Sequence, residues 1–100
     1  MKNILLYWGW DADLIMVPNF IADNLSMYQK KFDKWISNTN NNHEYWAKDS
    51  EGELALSFNG EAFVKWLNEN IIENVNEKAS FIKKEYVPSK EDMNLPRINF

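Results

Sequence analysis

Four sets of residues in this sequence have the types and spacing to carry chemistry. His43 and Glu44 stand side by side, the combination a general acid–base site would use. Asp11 and Asp13 lie two apart and offer the hard oxygen ligands a divalent cation prefers. Glu69, Glu73 and Glu77 recur every fourth residue, so a helix running through all three would align them as an acidic ridge. Trp10 and Trp46 are flanked by polar residues, and an exposed indole can stack on a sugar or anchor a protein interface.

Chemistry asks more of each set than its members. Neighbours on a strand point to opposite faces, so His43 and Glu44 would not share a site, and His43 is expected to be solvated. Two carboxylates are too few for a cation cage, so Asp11 and Asp13 read as capping or solubilising groups. The chain has no Cys and a single His, which removes thiolate nucleophiles, thiolate zinc sites and disulfides. No glycine-rich loop offers to cradle a phosphate. We therefore expect no catalytic residue, no metal and no cofactor, and a protein that binds rather than one that reacts. The glutamate ridge is either a solvated face or a docking strip for a basic partner. The positions four residues after Glu69 and Glu73 are themselves glutamates, so no neighbouring cation neutralises them along a helix.

The totals support a binder and narrow its partner. One hundred residues, 45% of them hydrophobic and 26% charged, make one ordinary domain spanning 1–100. Fifteen Asp and Glu against eleven Lys and Arg give a net charge of -4, and Arg97 is the only arginine. Both facts speak against direct contact with nucleic acid, which calls for a basic stripe. No apolar run approaches the roughly 18 to 20 residues that cross a bilayer, so no membrane partner is expected. The apolar start, Ile4 to Trp8, is too short for a signal-peptide core. A cytoplasmic location is expected, and the lack of Cys fits a reducing compartment.

The elements that must position these residues follow from hydrophobic periodicity. Residues 2–8 form a continuous apolar run ended by Gly9, the pattern of a strand buried on both faces. Trp10 to Asp13 reads as a short acidic loop. Pro18 suits the start of a helix whose face is Ile21, Leu25, Tyr28, Phe32 and Trp35. The Asn-rich run 38–42 is a loop. Residues 43–48 and 53–58 read as two strands joined at Asp49 to Gly52. Asn59 is a good N-cap for a second helix with Phe63, Trp66, Leu67 and Ile71 on its buried face, ending near residue 72. Residues 79–86 are a strand in this reading, although a helical repeat also fits them. Leu95 to Phe100 alternates like a docked edge strand. Trp8, Trp35 and Trp66 fall in apolar patterns and are assigned to the core. The fold class is α+β: a mixed, mostly antiparallel sheet of four to five strands packed with two main helices. The helix between residues 2–8 and 43–48 would also permit those two strands to pair in parallel through a right-handed crossover.

Three segments resemble bacterial immunity proteins, especially those of contact-dependent growth inhibition systems. They are the early strand Ile4 to Trp8, the helical Phe63-Val64-Lys65-Trp66-Leu67-Asn68, and the closing Leu95-Pro96-Arg97-Ile98-Asn99-Phe100. The resemblance implies a cytoplasmic inhibitor that binds one cognate toxin, often a basic nuclease, and blocks its active site or substrate path. The expected contact residues are Glu69, Glu73 and Glu77, with Trp10, Asp11 and Asp13 second. The rival reading is a small carbohydrate- or ligand-binding module using Trp10 and Trp46 as platforms.

Overall fold

Residues 1–100 are all described in the computed structural model, and the first apolar run explains the rest of the architecture. Strand β1 (Lys2–Tyr7) pairs antiparallel with β2 (Ala12–Val17) on one side and parallel with β6 (Arg97–Asn99) on the other. A strand with neighbours on both edges and cover on both faces needs no polar side, and Ile4, Leu5 and Leu6 are each fully buried. Ile4 and Leu6 face the main core. Leu5, with Ala12 and Leu14, faces a smaller one closed by Tyr7, Tyr86, Met93 and Leu95.

Half of the acidic loop expected at residues 10–13 is strand, since Ala12 and Asp13 belong to β2. Trp8 N–H donates to Asp11 O at 3.0 Å, leaving only Gly9 and Trp10 at the tip of a β1–β2 hairpin. Gly9 takes φ 108°, supplying the positive φ that two-residue hairpin loops require at their first central position. Asp13 therefore lies inside β2, opposite Leu6.

Pro18 leads into α1 (Asn19–Ala22), and after a break at Asp23 and Asn24 the chain continues as α2 (Leu25–Ser37). The expected face is the buried one: Ile21 and Phe32 are fully covered, and Leu25, Tyr28 and Trp35 pack against the core. Phe32 is its hub, with the rings of Phe58, Phe63, Trp66 and Phe100 at 5.5, 5.2, 5.5 and 6.1 Å. The Asn-rich loop closes α2, since the Asn41 amide donates to Trp35 O at 2.7 Å.

Strands β3 (Trp46–Lys48) and β4 (Leu54–Leu56) are shorter than expected and form their own two-stranded sheet. The parallel pairing permitted between residues 2–8 and 43–48 is not made; β6 takes that place. The hairpin has little to bury against a main sheet, with Leu54 60% exposed. Its turn is as read: Gly52 has φ 80°, and Asp49 Oδ1 accepts from the Glu51 and Glu53 N–H groups, both at 2.9 Å.

Helix α3 (Gly60–Trp66) starts at Asn59, whose side chain accepts from Glu61 N–H at 3.0 Å. It widens into a π turn over Leu67–Ile71 and stops. Asn68 explains the stop: its amide bonds both the N–H and the C=O of Ala79, and the Lys78 ammonium donates to the carbonyls of Asn68 and Ile72. The chain then enters β5 (Ser80–Tyr86), antiparallel to β2, so the segment read as 79–86 is a strand from Ser80 onward. The result is a mixed four-stranded sheet, β5-β2-β1-β6, with three helices and the small second sheet. Its three ion pairs are all well exposed and add little, so apolar burial holds the fold. No helix is long and apolar enough to cross a membrane.

Candidate functional site

Strand β5 cannot pair evenly with β2. Ala12 faces Tyr86 while Leu14 faces Lys83, so three residues of β5 span two of β2. The extra residue forms a bulge in which Glu85 takes φ 49°, an uncommon conformation for a residue with a side chain. Asp13 sits opposite and supports it: Oδ1 accepts the Glu85 N–H at 2.9 Å, and Oδ2 accepts the Trp8 indole N–H at 3.1 Å. These two bonds are what allow a carboxylate to be only 5% exposed. Gly60, at the start of α3, packs against Oδ2 so closely that a β-carbon there would collide with it. The positive end of a helix is a favourable neighbour for that charge.

Around Asp13 opens a cleft of about 230 Å³ between the bulge, the β1–β2 hairpin and the start of α3. Trp8, Phe58 and Phe81 supply its aromatic lining, and Asp11, Glu61, Lys84 and Glu85 its outer charges. Asp11, Asp13, Glu61 and Glu85 against Lys84 leave a formal charge of three negatives (four carboxylates, one ammonium). The Lys84 ammonium lies 2.8 Å from Glu61 Oε1 and 4.5 Å above the Phe81 ring. Its hydrogen bond to Glu61 holds it above the usual lysine range, with the Asp13 and Glu85 charges adding to the effect. At the hairpin tip, next in sequence to Asp11, Trp10 is 79% exposed.

The structure thus places Asp11 and Asp13 in one cleft, leaves Trp10 exposed at the adjoining hairpin tip, and adds Glu61, Lys84 and Glu85, which the sequence reading missed. Glu61 and Lys84 are 23 positions apart, and the pairing of β5 with β2 brings Phe81, Lys84 and Glu85 to this place. The glutamate ridge is not formed. Helical structure ends at Ile71, so Glu69 lies in the π turn, Glu73 in a loop and Glu77 in a short 3-10 turn over Val75–Glu77. All three are exposed, but they do not share a helix face.

Glu69 instead borders a second cleft of about 350 Å³ with Trp35, His43, Glu44, Tyr45 and Lys65. There Lys65 and Glu44 pair at 3.0 Å; their hydrogen bond lowers the carboxyl and raises the ammonium. Burial, then the Glu44 charge, raises the Tyr45 phenol. His43 is not simply solvated. Its Nε2 donates to Ile36 O at 2.8 Å and its Nδ1 accepts from Tyr45 N–H at 3.1 Å, which fixes one tautomer and occupies both nitrogens. The imidazole thereby caps α2. It also stacks on Trp46 at 5.4 Å and 9°, so one face of that indole is taken. Trp66 is core as expected, whereas Trp8 and Trp35 are half-buried and border the clefts. No group of three or more His, Asp or Glu side chains is gathered to hold a metal ion.

Compared with protein-family models, curated proteins and solved structures, the chain matches none of them.

Proposed function

We propose that this protein is an immunity protein: a cytoplasmic, non-enzymatic inhibitor that binds and neutralises a cognate bacterial toxin, a nuclease, through an acidic surface. The observation that carries the reading is the pairing of a 79%-exposed Trp10 with the acidic cleft beside it. A nuclease must present basic groups to hold phosphates, and a surface with excess carboxylates competes for those groups. Long-range attraction speeds encounter, and a Trp seated in a partner pocket slows release. Within this reading Trp10 and Asp11 become the leading contact group, the buried Asp13 cannot touch a partner directly, and Glu69, Glu73 and Glu77 contribute field rather than a continuous strip. Asp13 acts from within, by shaping the bulge that presents Glu85.

The test is to look for a toxin-domain gene immediately upstream and to co-express its product with this protein. The proposal expects the two to co-purify and the nuclease activity to be lost in the complex. A toxin that neither binds nor becomes harmless rules it out.

A further inference from the structure

We propose that the cleft beside Trp10 is a receptor for a single arginine side chain of the partner, and that Lys84 is a built-in competitor occupying it in the free protein. This deepens the immunity reading and rests on it for the partner's identity.

Three observations support it. At about 230 Å³ the cleft falls below the roughly 300–1,000 Å³ usual for small-molecule pockets, a size suited to one side chain. The chain itself seats a cation there: Lys84 Nζ bonds Glu61 and lies over the face of Phe81 at 4.5 Å. With that ammonium in place the cleft still carries three excess negative charges, four carboxylates less one lysine. The cleft is therefore complementary to more positive charge than it contains.

Arginine is the better guest. Its planar guanidinium can lie over an aromatic ring while forking to a carboxylate, whereas an ammonium is a compact, strongly hydrated point charge. The Lys84–Glu61 pair it must displace is weakly held, since both side chains are more than half exposed (52% and 61%). Glu61 would take the fork and Phe81 the stacking face, and Lys84 would swing into solvent.

The test titrates the purified protein with N-acetyl-arginine methylamide, reading the Trp8 indole N–H resonance by nuclear magnetic resonance. That proton bonds Asp13 inside the cleft. We expect a saturable shift, with N-acetyl-lysine methylamide binding more weakly. Lys84→Met, by removing the competitor, is expected to tighten arginine binding about three- to fivefold, the worth of one exposed ion pair. Glu61→Gln is expected to weaken it. Lys83→Met makes the same change in net charge at a residue outside the cleft and is expected to shift affinity less than about twofold. The proposal is overturned by no saturable shift, by Lys84→Met binding no tighter than wild type, or by Lys83→Met matching it. Because the probe is an amino-acid amide, any of these results leaves co-purification with the toxin to be judged separately.

Discussion

A carboxylate that is 5% exposed must replace the water it has lost, and Asp13 does so with the Glu85 and Trp8 N–H groups. Asp13→Ala leaves both donors without a partner, and the expected loss is about 1–3 kcal/mol. Asp13→Asn keeps an acceptor for one of them and is expected to lose less. Urea denaturation measures both; an alanine variant with the wild-type midpoint would show that the pair of bonds contributes nothing. Tyr86 offers a test by pH. Burial, then its hydrogen bond to Asp92, pushes the phenol up to about 12 from the ordinary 10.0. Above the ordinary value the unfolded chain has released a proton that the folded chain still holds. Stability should therefore fall as pH rises from about 10 to about 12 and level off beyond. Phenolate absorbance should show a late-titrating tyrosine that Tyr86→Phe removes and Asp92→Asn moves down. If Tyr86→Phe leaves that late step in place, the assignment is wrong.

Between the elements, the start of α3 meets β2 closely where Gly60 lies against Asp13. Alanine is the better helix former by about 1 kcal/mol, so propensity alone predicts that Gly60→Ala stabilises. The structure predicts the reverse, because the new methyl meets a carboxylate that two hydrogen bonds prevent from moving. A net loss of about 1–3 kcal/mol is expected, the usual cost of overpacking. A raised melting temperature in this variant would contradict the packing described.

The same joint shows what was legible in the sequence. Asn59 as a cap, the helical face through Phe32 and the Asp49–Gly52 turn all rest on local chemistry and were readable. Gly9-Trp10 before the apolar Leu14-Ile15-Met16-Val17 is a hairpin signal too, but the two aspartates masked it as a loop. The β5 bulge had no local signal, because it arises from a mismatch between strands far apart in the chain. The end of α3 near residue 72 was anticipated, although its cause is the tertiary contact of Asn68 and Lys78 with the chain beyond.

At the scale of the molecule, one end of the sheet gathers the exposed Trp10 and an excess of carboxylates. Composition gave the sign of the charge but not its place, and its regular Glu69, Glu73 and Glu77 spacing pointed to a ridge that the helix end prevents. Association with a basic partner should slow steeply as salt rises, while dissociation changes little. The most direct test of the proposed surface compares the toxin domain's affinity for wild type and for Trp10→Ala. Trp10 is 79% exposed, so its loss should leave the melting temperature within error. It should nonetheless weaken toxin binding by at least about 30-fold, the loss of one interface hot spot. Equal affinity for the two proteins would contradict the account and move the interface away from the β1–β2 tip.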